Sequence, residues 1–267
     1  STLNLAHMIP LSAVWAGPER DEHFDRPPLM FGRAQGSTPF RFSLHVGDVG
    51  HTLVVGPTGA GKSVLLALMA MQFRRYEGAQ VFAFDFGGSI RAAALAMGGD
   101  WQDLGGSLGE DDHTGVTLQP LAQIDQAQTR IWASEWLAAI LASEGVTIDP
   151  AAKEQLWAAL NSLASAPVSE RTLTGLLMLL QDQALKQALA PYCLGGPFGQ
   201  LLDAEAERLG HGRVQAFETE GLTGSAAAPA VLSYLFHRIE GRLDGSPTLI
   251  IIDEGWLGLD SPLFAAQ

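Results

Sequence analysis

Three lysines (Lys62, Lys153, Lys186) and one cysteine (Cys193) are all that 267 residues contain of either type. The formal net charge is −13, from 29 acidic and 16 basic residues. A surface that grips nucleic acid needs clustered cations to displace counterions, and none are clustered here. The charge therefore argues against direct nucleic-acid binding, while saying nothing about the fold. A lone cysteine excludes an internal disulfide and fits a reducing cytoplasm. Following Pro191 and Tyr192, Cys193 reads as a small half-buried residue and not as a nucleophile. No apolar run approaches the roughly 18 residues that cross a bilayer. Residues 1–10 also lack the basic start and apolar centre of a signal peptide. Internal repeats and low-complexity tracts are missing too. The chain opens at Ser1 without an initiator methionine, which fits a piece of something longer.

Hydrophobic residues make up 47% of the chain, enough for a sizeable core. The length suits one α/β domain, or such a domain carrying an insertion. Residues 1–40 read as an extended amino-terminal segment, rich in Pro, Gly and charge from Gly17 to Pro39. Arg41 to Val46 alternates as a strand does and turns at Gly47-Asp48 into a second expected strand, Thr52 to Val55. Next come an unbroken, largely buried helix over Lys62–Tyr76 and a short apolar strand, Ala79–Asp85. Strand, helix and strand in this order predict a parallel sheet with right-handed crossovers.

Residues 41–123 thus form the first stretch of the core, and the pattern turns helical over 124–195. There Trp132, Trp136 and Ile140 recur at helical spacing and are taken as core. Asp149-Pro150 has the form of a helix start, cap then proline. Ser169 is placed to cap the next helix, with Val168 and Leu173 as its hydrophobic staple, and Pro191 to stop the last one. The α/β pattern resumes over 196–267 with a strand at Arg213–Glu218, a helix at roughly Ala227–Leu243, and the solid apolar run Leu249–Ile252 of a strand covered on both faces.

The chemistry starts at Gly56-Pro57-Thr58-Gly59-Ala60-Gly61-Lys62-Ser63, a full G-x-x-x-x-G-K-[ST] match between a strand and a helix. Glycines let successive amides turn inward around a phosphate, and the helix presents its positive end to the same group. Lys62 reaches the β- and γ-phosphates of ATP, and the Ser63 hydroxyl ligates Mg2+. Hydrolysis needs a further oxygen near the cation and an oriented water. Asp253, at the end of the buried strand, and Glu254 beyond it are read in those two roles. Asp85 also ends a strand. It either touches cation-bound water, meets a partner, or caps the turn into Gly87-Gly88.

Three weaker patterns read as structure. Gly105-Gly106-Ser107-Leu108-Gly109 spells a hydrolase elbow, but no helix follows it. Glu110, Asp111, Asp112 and His113 read as a solvated acidic loop and not as a metal site. Glu218 and Glu220 read as a strand-end salt bridge.

With these motifs in hand, the chain resembles the conjugal transfer ATPases of the CagE/TrbE/VirB family of type IV secretion systems. The resemblance runs through "NLAHMIPLSAVWAGPER", "TPFRFSLHVGDVGHTLVVGPTGAGKS", "QVFAFD", "PLAQID" and "VLSYLFHRIEGRLDGSPTLIIIDEGWL". It implies an additional-strand P-loop NTPase core of the RecA and FtsK/HerA kind with an inserted all-α subdomain. It also implies a cytoplasmic homo-oligomer, often a hexamer, docked with other secretion components at the bacterial inner membrane. The family's role is to power pilus assembly and substrate transfer. A nucleotide-binding assembly scaffold without turnover and a DNA-translocating motor are the alternatives; Glu254 argues against the first and the charge against the second.

The chain departs from the family at Phe86 and Gly88, where basic residues are usual, and at Gly255, where alanine is. The family's large amino-terminal domain, its sensor glutamine and its arginine finger have no counterpart in these residues. In the additional-strand order, a strand that comes later in sequence separates the phosphate-loop strand from the Asp-Glu strand. The expectation is therefore a longer chain, with a gap between Leu53–Val55 and Leu249–Ile252.

Overall fold

A computed structural model describes residues 16–33, 39–105 and 115–254. Its centre is a four-stranded parallel sheet: β3 (Gln80–Asp85), β4 (Asp100–Asp103), β5 (Val214–Glu218) and β6 (Thr248–Ile252), in the order β4-β5-β3-β6. Every residue of β3 and β5 is buried. Their side chains alternate between two cores, as the strand period of two requires. Val81, Ala83, Val214 and Ala216, with Ile251 of β6, pack on α1 (Lys62–Phe73) and α2 (Arg91–Ala96) through Met69, Ala70, Phe73 and Ala94. Phe82, Phe84 and Phe217 face the larger, opposite core.

That opposite layer is helical: α3 (Ala127–Ser143), α4 (Pro150–Leu163), α5 (Leu173–Leu179), α6 (Gln183–Leu189), α7 (Gly199–Leu202) and α8 (Ala228–Glu240). Trp136 and Ile140 are fully buried in it, with Trp132 packed alongside, and Trp136 Nε1 donates to Ala230 O at 3.0 Å. The run of helices passes residue 195, the expected boundary, to end at α7. Cys193 is buried among them, which pushes its thiol up to about 12 and away from nucleophilic use.

Asp149 caps α4 by accepting from Ala152 N at 2.8 Å, with Pro150 opening the helix. Replacing it, Asp149→Ala, should cost about 1 kcal/mol, read as a lower urea midpoint at an unchanged slope. Ser169 does not cap α5. It lies in a 3-10 turn, and Thr172 caps instead, accepting from Gly175 N at 3.0 Å; Val168, 52% exposed, forms no staple. The reason is local: three residues of turn are needed after Pro167 before the chain can point along α5.

The amino-terminal region is less extended than the composition implies. β1 (Met30–Arg33) pairs antiparallel with β2 (Pro39–Phe42), so the strand expected at 41–46 lies earlier and belongs to a separate hairpin. A boundary at residue 40 would cut that hairpin. Preceding it, His23 stacks on His45 with ring centroids 4.1 Å apart, and Phe24 meets Phe73 and Tyr76 of α1 and its end. Burial, and then the neighbouring His23, lower the pKa of His45; Asp21 and Asp48 oppose this and His51 adds to it. Below the ordinary value of 6.5 the unfolded chain takes up a proton that folded His45 resists. Stability should therefore fall as pH drops through 6.5 and level off below the lowered pKa. Urea midpoints at pH 7.5 and 5.5 should differ less in His45→Gln than in the parent.

Two expectations near the sheet edge fail together. Residues 51–57 form no strand, and Leu53 and Val55 are 88% and 82% exposed. The helix after them is only partly covered, with Val64 74% exposed and burial confined to Met69, Ala70 and Phe73. A strand needs a hydrogen-bonded neighbour. Among the described residues none stands beside 51–57, and β6 pairs with β3 alone. Residues 53–55 and 249–252 are accordingly not paired with each other.

Candidate nucleotide-binding site

At the carboxyl edge of this sheet the chain turns through residues 56–61 into α1. Gly59 and Gly61 have φ of 80° and 88°, a left-handed backbone that a side chain would strain. Their outer faces are open, with nothing within 4 Å of a hypothetical Cβ. Gly61 occupies the cap position of α1, so no side chain caps the helix, and its first turn carries no acidic residue. The leading amides of α1 are thus left for an external acceptor, and the helix dipole favours an anion there. Lys62 folds back across the loop, its Nζ donating to Gly56 O at 3.1 Å and Pro57 O at 3.5 Å. A charged lysine over open amides is a phosphate cradle.

Ser63, one residue on, points to β6. Its Oγ lies 3.4 Å from Asp253 Oδ2, looser than a strong hydrogen bond. Asp253 continues the ladder, its N–H donating to Phe84 O at 2.9 Å, while its Oδ1 accepts from Glu254 N at 3.1 Å. Glu254 has φ of 51°, rare for a residue with a side chain and common at working sites. A hydroxyl and a carboxylate side by side are hard oxygen donors, which suit Mg2+ when phosphates complete the shell. Among the described residues no group of three or more His, Cys, Asp or Glu could hold a metal alone.

Asp85 is fully buried. Its Oδ1 accepts from Ser89 Oγ at 2.5 Å and its Oδ2 from Ile90 N at 2.9 Å, so the capping alternative is the one the geometry bears out. Glu218 makes no salt bridge. It is buried, and it accepts from the amides of Gly87 (3.1 Å), Gly88 and Glu220 (2.9 Å), with Gly87 and Gly88 both at positive φ. The two carboxylates pin residues 86–90 against the site. Ser89 and Glu218 are the components that sequence reasoning missed; the Gly87-Gly88 pair signalled a tight turn but not what it holds. Ser107, Leu108 and Gly109 of the elbow spelling, and the acidic loop 110–113, lie outside the described residues.

A parallel sheet covered on both faces, with a glycine loop entering a helix beside a strand that stops at Asp-Glu, defines a P-loop NTPase. No protein-family model matches the chain. It is 46% identical over 272 residues to a probable conjugal transfer protein TrbE of Sinorhizobium fredii, covering 100% of this chain and 41% of that one. It is 46% identical over 271 residues to conjugal transfer protein TrbE of Rhizobium radiobacter, covering 99% of this chain and 33% of that one. Type IV secretion system protein virB4 of Bartonella quintana is 28% identical over 241 residues, 88% of this chain and 30% of that one. VirB4 of Thermoanaerobacter pseudethanolicus has the same fold at a TM-score of 0.61 and 17% identity, over 86% of this chain and 68% of that one. The chain is a TrbE-like member of the VirB4 family. It spans less than half the length of the TrbE and virB4 proteins it matches.

Proposed function

We propose that the chain carries the Mg2+-dependent ATP-hydrolysing centre of a motor subunit that powers conjugative type IV secretion, both pilus assembly and substrate transfer. The observation that carries this reading is the meeting of Ser63 and Asp253 beside the open amides of α1, with Glu254 next in the chain. The loop amides and Lys62 bind the β- and γ-phosphates and hold them in place. Ser63 and Asp253 would hold Mg2+, which when bound neutralises phosphate oxygens. Glu254 orients the attacking water and accepts its proton as the water oxygen bonds to the γ-phosphorus and the bond to the β-phosphate oxygen breaks.

The names of the relatives supply the setting. The subunit works as a homo-oligomer, with six copies the arrangement to test, beside other secretion components on the cytoplasmic side of the inner membrane. Among the described residues no helix is long and apolar enough to cross a membrane. Phosphate release from ATP, with and without Mg2+, is the direct test. A protein that binds ATP but releases no phosphate under any loading of Mg2+ would leave the scaffold reading in its place.

A further inference from the structure

Ser89 stands against the same carboxylate oxygen that Ser63 approaches. Its Oγ lies 3.4 Å from Asp253 Oδ2, and Ser63 Oγ lies 3.4 Å from that atom as well. The two hydroxyls are not equivalent. A serine has one proton to give and two lone pairs to receive with. The proton of Ser89 is committed elsewhere: Asp85 Oδ1, on a fully buried carboxylate, is 2.5 Å away, the length of a charge-assisted bond. Asp85 cannot swing off, because Ile90 N holds its Oδ2 at 2.9 Å and Thr219 clamps its carbonyl through N (2.9 Å) and Oγ1 (2.8 Å). Nor can the loop lift, since Glu218 ties down the amides of Gly87 and Gly88.

What Ser89 turns toward Asp253 is therefore a lone pair facing a negative oxygen. Two acceptors held together with no proton between them repel, unless a third group donates to both. Ser89 is exposed, so such a group can reach it. The hydroxyl of Ser63, beside the same Oδ2, is the one placed to ligate a cation, and a cation polarises its bound water into a stronger donor. We infer that Ser89 Oγ and Asp253 Oδ2 form a two-acceptor seat for one water of the nucleotide-bound Mg2+, with Asp85 fixing Ser89 as an acceptor. Ser89 is thus a positioning residue of the cation shell. The inference rests on the nucleotide reading above.

The test is binding of a fluorescent ATP analogue, titrated with Mg2+ and repeated in EDTA, for the parent protein, Ser89→Ala and Ser89→Thr. Loss of one hydrogen bond should raise the Mg2+ midpoint roughly fivefold in Ser89→Ala. Affinity in EDTA should stay within twofold, and Ser89→Thr, which keeps the hydroxyl, should restore the midpoint. An unchanged midpoint in Ser89→Ala overturns the inference. So does an equal loss in EDTA, which would mark a purely structural role, and so does a threonine variant as impaired as alanine. If the parent protein shows no Mg2+ dependence, or Lys62→Ala binds as tightly as the parent, the nucleotide reading itself has failed and this inference falls with it.

Discussion

Lys62→Ala should weaken ATP binding by at least ~100-fold and remove turnover, while thermal unfolding and the far-ultraviolet spectrum stay as in the parent. The side chain meets Gly56 O and Pro57 O across the loop and takes no part in either core cluster. Its removal opens no apolar cavity, and the two loop carbonyls turn to water. What is lost is a charge aimed at where a phosphate sits. Removing one such preorganised donor costs on the order of 10²–10³ in rate. Calorimetric titration with ATP, run beside a melting curve, separates the two effects. Parent-like affinity and turnover in the variant would mean that the loop holds something other than a nucleotide.

Glu254→Gln should have the opposite division: turnover down by about 10²–10⁴, the range for a positioned general base, with ATP affinity within twofold of the parent. Glutamine keeps the size and can adopt the same left-handed backbone at the same strain, so the φ of 51° should survive the change. Only the ability to accept a proton is lost. The experiment also discriminates between functions, because a scaffold that binds without hydrolysis has no turnover for the substitution to remove. Single-turnover phosphate release is the readout. Equal rates in the two proteins would dismiss Glu254 from the role of base.

Those two residues are legible in the sequence because their signals are local. A glycine loop followed by Lys-Ser, and an apolar run closed by Asp-Glu, each state their chemistry within a few positions. The central strands are equally legible, since β3 and β5 are buried on both faces and read as short apolar runs. Thr52–Val55 shows where local reading stops. Its alternation satisfies the strand period, yet pairing depends on a neighbour that no residue in that stretch encodes. The half-covered face of α1 has the same cause, because its burial is set by what lies across from Val64 and not by the helix's own apolarity. Ser89 and Glu218 were hidden for another reason. One owes its role to a proton held by Asp85, and the other to amides 130 or more positions away. Thr172 displaced Ser169 as a cap through a single added turn, a shift that composition cannot resolve.

Ser63 and Asp253 are 190 positions apart in sequence and meet only because β6 docks against β3. Closing so long a loop is slow, and parallel strands joined through intervening helices are among the later pairings to form. During synthesis the glycine loop and α1 leave the ribosome long before β6 exists. A nascent chain can therefore acquire its phosphate-binding amides early and its cation-holding carboxylate late. For most of its assembly the protein would carry half a site, able to touch a nucleotide and unable to spend it.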